Sequence, residues 1–147
     1  MTESQNREFK ETEGASLSVD PMLKTFVRLA EEQNLSLGVT LTIHGLLISG
    51  NIISYQRYIE GIAQGFESAT GNQEIGQILA ESYRNVSQEY LKIRKEEGLE
   101  ELPYLQYIHL FDARFRFGNS VVPPETGVYW RGRLDEVDGF FLGIIQS

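Results

Sequence analysis

Between Tyr104 and Phe117 the apolar residues change sides. Ile108 and Leu110 fall in one alternation, whereas Ala113, Phe115 and Phe117 fall in the other. A strand keeps its apolar side chains on one face only while they stay two apart. One extra residue near Phe111-Asp112 restores the pattern, so the sequence predicts a β-bulge there and a sharply bent strand. A bent strand restricts the fold more than any other feature, because its neighbours in the sheet must follow its curvature.

Those neighbours can be read from changes of period. From Ser36 the period is two, with Leu37, Val39, Leu41 and Ile43 opposed to Gly38, Thr40 and Thr42. His44-Gly45 predicts a two-residue turn, and Leu46 to Ile53 the returning strand. Gly50 within it predicts a bend or a close backbone approach. Pro123-Pro124 marks a loop; Val128, Trp130, Gly132 and Leu134 give a further strand, and Phe140 to Ile145 a last one. Elsewhere the period is helical. Asp20 followed by Pro21 predicts an N-cap with Pro in the first turn, and Leu23, Phe26, Val27 and Ala30 continue an amphipathic helix to about Gln33. Ser54 caps a second helix carrying Tyr55, Tyr58, Ile59, Ile62 and Phe66, which Gly71-Asn72 breaks. A longer helix runs from about Gln73 to Glu97, with Ile75, Leu79, Tyr83, Val86, Tyr90 and Ile93 on one stripe and Gly98 as its stop.

The predicted class is α+β: a strongly bent antiparallel sheet of about five strands, an N-terminal helix, and a two-helix insertion over 54–98. The order of elements suggests a small SH3- or Sm-like barrel. Residues 1–19, rich in Ser and Glu, are expected to form a disordered acidic arm, and 20–147 one domain.

Composition then removes whole classes of function. The chain has no Cys, which excludes thiol catalysis, disulfide scaffolds and zinc–thiolate sites. No apolar run approaches the length of a membrane span, and the N-terminus has no secretory h-region, so a cytoplasmic protein without membrane attachment is expected. A net charge of −8 over 147 residues disfavours bulk attachment to nucleic acid.

Few residues offer chemistry. His44 at a turn and His109 on a strand lack a third metal ligand at suitable spacing, and are expected to be a solvated turn residue and a packed one. Asp135, Glu136 and Asp138 are too few for a calcium loop and are expected to cap amides of their own turn. Nucleophile elbows and Gly-rich phosphate loops are missing, so no enzyme, metal or cofactor is expected. The basic residues say more. Arg114 and Arg116 interleave with Phe115 and Phe117, while Arg131 and Arg133 flank Gly132 beside Trp130 and Leu134. If these strands pair, four guanidinium groups share a polar face and form a partner-binding stripe. The competing expectation is ion pairing across strands with Asp112, Asp135 and Glu136. The stripe of the 73–97 helix is expected to be core, with Tyr83 and Tyr90 as the residues for self-association and a homo-oligomer.

The run Trp130-Arg131-Gly132-Arg133-Leu134, then Glu136-Val137-Asp138-Gly139-Phe140-Phe141-Leu142-Gly143, resembles the closing signature of the gas vesicle accessory protein U family (GvpU). Phe26-Val27, Ile48-Ser49-Gly50 through Ile53-Ser54, and Ile108-His109-Leu110 are similar as well, in the same order, over about residues 22–145. The resemblance implies a small, non-enzymatic cytoplasmic protein that binds, clusters or assists assembly of gas vesicles, with the vesicle shell or other gas vesicle proteins as partners. The family pattern carries a polar Ser/Lys-rich tail after its last strand. Here Gln146-Ser147 follow, and the 1–19 arm or the tyrosine-bearing helix is expected to substitute for such a tail in self-association. The alternative is an Sm-like oligonucleotide-binding module that uses the Arg/aromatic face.

Overall fold

The structure is a computed structural model that describes residues 19–69, 71–97 and 106–145. The expected arm, apart from Val19, and the expected Gly98 stop lie outside the described residues.

Helix α1 (Pro21–Gln33) begins as its sequence predicts: Asp20 Oδ1 accepts the N–H groups of Met22 and Leu23 at 2.8 and 3.2 Å. It ends at Asn34, whose φ of 55° is a left-handed stop that a short polar side chain tolerates. Strands β1 (Leu37–Ile43) and β2 (Leu46–Ile53) form a hairpin, with Val39 opposite Gly50. Its turn residues His44 and Gly45 both take positive φ, 50° and 82°, which matches the right-handed twist of the strands. Strand β3 (Tyr107–Phe117) pairs with β2 along one edge. Its other edge is shared by β5 (Val128–Arg133) and by β4 (Ser120–Val122), and β6 (Gly139–Leu142) lies beside β1.

The result is an α+β fold with a six-stranded antiparallel sheet in the order β4-β3-β2-β1-β6, with β5 also on β3. The sixth strand, beyond the five expected, is β4, whose three residues are too few to show a period. The sheet does not close. Strands β5 and β6 sit at opposite ends of the order with no ladder between them among the described residues, so the pairing does not support an SH3- or Sm-like barrel. The 3₁₀ turn Leu134–Glu136 instead leads the chain out of β5 and across to the free edge of β1.

The bulge falls where the apolar register slips. Asp112 has a φ of 53°, and the pairing of β3 shifts against both β2 and β5 at this point. Gly50 faces it: a Cβ there would lie 3.2 Å from the Cα of Ala113 and from the carbonyl oxygen of Phe111. A side chain there would push the bulged backbone back by a few tenths of an ångström, which glycine avoids. Asp112 Oδ1 in turn accepts the Gly127 N–H at 2.7 Å and fastens the approach to β5.

Because of the bulge, Ile108 and Leu110 before it and Ala113 after it all lie in the core. Leu23, Val27 and Ala30 of α1 pack on that face with Val39, Leu41, Ile48, Ile52 and Leu134. Trp130 and Phe140 are partly buried against this core, and Phe140 meets Phe26 edge to face at 6.0 Å. Phe141, by contrast, is 47% exposed. It follows Phe140 directly on a strand, and neighbours on a strand point to opposite faces.

On the opposite face, α2 (Tyr55–Ala69) lies against β3 and β5. Two carboxylate and hydroxyl acceptors start this helix: Glu31 Oε1 of α1 accepts the Tyr55 N–H at 2.7 Å, and Ser54 Oγ accepts that of Arg57 at 3.2 Å. Helix α3 (Gln73–Glu97), capped by Asn72 Oδ1, packs on α2 through the small residues Gly76, Ala80 and Ser87. Arg84 joins the two helices by pairing with Glu60 at 2.9 Å and Glu67 at 2.7 Å. The expected core stripe of α3 is thereby turned outward. Ile75, Ile78, Val86 and Ile93 are all more than 40% exposed. Small side chains permit the closer helix approach, and that geometry overrides the apolar period.

The tail after β6 is clasped onto the sheet. The Ile145 N–H donates to Ser49 Oγ (3.1 Å), the Ser49 and Thr40 hydroxyls lie 2.7 Å apart, and Thr40 donates to the Gly143 carbonyl (2.8 Å). With Ser49 donating to Thr40, every hydroxyl in this buried relay is satisfied.

Candidate partner-binding surface

Strand alternation assigns the arginines. Trp130 and Gly132 oppose Leu110 and Ile108 on the core side, so Arg131 and Arg133 oppose His109 and Tyr107 on the α2 side. After the bulge Ala113 and Phe115 return to the core side, which leaves Arg114 and Arg116 on the α2 side, opposite Ser49 and Leu47. All four guanidinium groups therefore share one face of the sheet. The bulge separates them into two pairs, at opposite ends of β3.

Their electrostatic states differ. Arg133 pairs with Asp135 at 2.9 Å and lies 3.8 Å from Glu136, contacts that hold its guanidinium more firmly protonated than usual. Arg114 donates to the Glu125 carbonyl at 2.8 Å and lies 3.7 Å from Asp112. These ion pairs involve the expected carboxylates, but they link residues two or three apart in sequence rather than across strands. Arg116 has a buried Nε without a hydrogen-bond partner among the described residues.

Arg131 is the outlier. Its guanidinium carbon sits 4.0 Å from the centre of the Tyr107 ring and 5.8 Å from that of Tyr55, and the residue is exposed. No carboxylate pairs with it among the described residues. A guanidinium stacked on an aromatic face keeps its donor fork free and spends little entropy on being held in place. Arg131 is legible in the sequence but its platform is not, because Tyr107 and Tyr55 reach it only through the β3–β5 register and the packing of α2. A tyrosine at each strand or helix entry was the available signal.

Beneath Arg131, His109 is 1% exposed, with Tyr55 and Tyr58 rings at 5.4 and 4.9 Å. Burial, and secondarily the Arg131 charge, push its pKa down to about 3. Burial likewise raises the pKa of Tyr55 and Tyr58, against the nearby Arg131 charge. Tyr129 extends this aromatic cluster toward Phe111 at 5.3 Å and crosses Gly61, where any side chain would collide with its ring.

The other candidates are engaged in the fold. His44 is exposed at its turn, with Nε2 2.7 Å from Glu136, and its N–H donates to Asp138 Oδ2 at 2.8 Å. The acidic run therefore serves the neighbouring hairpin and Arg133, a correction to the expectation that it caps its own amides. No group of three or more His, Asp or Glu residues is arranged to hold a metal among the described residues. Tyr83 is 38% exposed and touches Phe66 at 5.0 Å, while Tyr90 turns inward onto Tyr55 at 4.1 Å. A cleft of about 590 Å³ lies elsewhere, between α1 and α2, with Glu31, Glu32, Arg57 and Glu60 in its wall.

These features define a small α+β protein whose distinctive surface is a guanidinium laid on tyrosines beside an open sheet. No described helix is long and apolar enough to cross a membrane. A family model described as gas vesicle protein GvpU-like matches residues 20–145, so the chain belongs to that family and is a gas vesicle-related protein. No curated protein and no solved structure matches it.

Proposed function

We propose that this chain is a non-catalytic accessory protein of the cell interior that binds gas vesicles, and clusters them or assists their assembly. Contact runs through the Arg131 surface, with Arg116, Arg114 and Arg133 as further contacts on the same face. The family membership sets the partner, and one observation carries the choice of surface: Arg131 is exposed, stacked on Tyr107, and not paired with any described carboxylate. A free fork of donors suits carboxylates and carbonyl oxygens on the vesicle shell or on another gas vesicle protein. One weak contact repeated along a periodic shell becomes firm attachment when the protein also self-associates, since each second contact is intramolecular. The oligonucleotide alternative loses its fold argument with the open sheet, and the net charge opposes it.

The arginines are not equivalent, and that supplies the test. Arg131→Ala is expected to lower the affinity for isolated gas vesicles by about tenfold, the equivalent of one charge-assisted hydrogen-bond pair. Arg133→Ala, already engaged by Asp135, is expected to lower it less. Equal affinities of both variants and the parent protein would remove this surface from the proposal.

A further inference from the structure

Helix α3 spans 25 residues, about 37 Å, and among the described residues only its small-residue side is packed against another element. Ile75, Ile78, Leu79, Val86 and Ile93 fall within roughly a 100° arc of its outer surface. Their exposures run from 36% for Leu79 to 57% for Val86. Five aliphatic side chains on one helix face that no described element covers form a patch of the kind that marks an interaction site. Leu79, Val86 and Ile93 recur at heptad spacing, the period of one helix packed against another.

We infer that this face docks the same face of a second copy of the chain, the two α3 helices running antiparallel about a two-fold axis near residue 84. The stripe is self-complementary in that order. Ile75 and Ile93 are equally distant from residue 84, so each faces the other across the axis. Val86 lies next to the axis and packs between Leu79 and Val86 of the second copy. Charge selects the same order. Glu74 near the first end of the helix meets Lys92 near the last end of the other copy, and the contact occurs twice; in parallel helices these two residues lie at opposite ends and on opposite flanks of the contact, so neither pair forms. A two-fold contact uses one patch twice and closes on itself, which gives a dimer rather than a fibre. Ser82 and Glu89 interrupt the stripe, so the affinity expected is on the order of micromolar.

The dimer supplies the second copy that vesicle clustering requires, and that consequence rests on the reading above. The association itself is measured without vesicles, so the two can fail separately. The test is sedimentation equilibrium of the full chain up to roughly 100 μM, well above the expected dissociation constant. The parent protein is expected to approach twice the 16.7 kDa chain mass, and Val86→Glu to stay at the single-chain mass with unchanged circular dichroism. If Val86→Glu disturbs the fold, Ile78→Glu at an equally exposed position is read in its place. The control Phe141→Glu, on the distant edge strand, is expected to remain dimeric. Orientation is read from cross-linking, free of background because the chain has no cysteine. Ile75→Cys mixed with Ile93→Cys is expected to cross-link, and neither variant alone. A parent protein that stays monomeric, a dimer that survives both glutamate variants, a dimer broken by Phe141→Glu instead, or cross-linking of Ile75→Cys to itself would each overturn the inference.

Discussion

His109 is held neutral by its surroundings. Burial between β3 and α2 drives its pKa from the usual 6.5 to about 3, with Arg131 adding to the effect. The folded protein therefore resists protonation while the unfolded chain accepts it. Stability from this residue is complete above pH 6.5 and falls as the pH drops toward 3, by about 1.4 kcal/mol per unit. Urea unfolding at pH 7.5 and pH 5 is expected to show a loss of about 2 kcal/mol that a His109→Gln variant lacks. An equal acid loss in the variant would assign the effect to carboxylates instead. At the same scale, a residue's neighbours decide its use. Arg131 and Arg133 are both exposed and only two apart, yet one lies on tyrosine and the other on aspartate.

The elements show a similar dependence on what they meet. The Thr40–Ser49 relay binds the last strand and its tail to the hairpin, and both hydroxyls are buried. Thr40→Val keeps the shape but strands the Gly143 carbonyl and the Ser49 hydroxyl, so a loss of about 1–3 kcal/mol in urea unfolding is expected. A neutral result would mean that the tail detaches at no cost. Most elements were legible in the sequence because their determinants are local. Asp20-Pro21 starts α1, His44-Gly45 turns the hairpin, and the slip at Phe111-Asp112 marks the bulge. The outward stripe of α3 was not legible. An apolar period shows which face is greasy, while Gly76, Ala80 and Ser87 decide which face packs. The tail past Leu142 was read as strand because its residues remain apolar; Gly143, with a φ of 103°, turns it across Ser49 instead. Of the candidate surface, the four arginines were legible and their pairing states were not, since those depend on the bulge and on side-chain packing.

At the scale of the molecule, a helix covers one face of an open sheet and a helical hairpin covers part of the other. Open edges and an outward helix stripe leave several surfaces for partners, and membership of the GvpU-like family connects them with gas vesicles. The chain is strongly acidic, with a net charge of −8, so a general attraction to acidic surfaces cannot hold it there. The attachment proposed above is instead a local contact: one guanidinium face, repeated by a second copy of the chain. Hydrogen bonds from an oriented donor fork, multiplied by avidity, lose less to salt than bare surface charge does. The most direct measurement is flotation of purified protein with isolated gas vesicles at about 0.15 M salt and again at about 0.5 M, where the Debye length falls to a few ångströms. The protein is expected in the buoyant layer at both. Protein left entirely in the subnatant at both would contradict direct attachment to the vesicle.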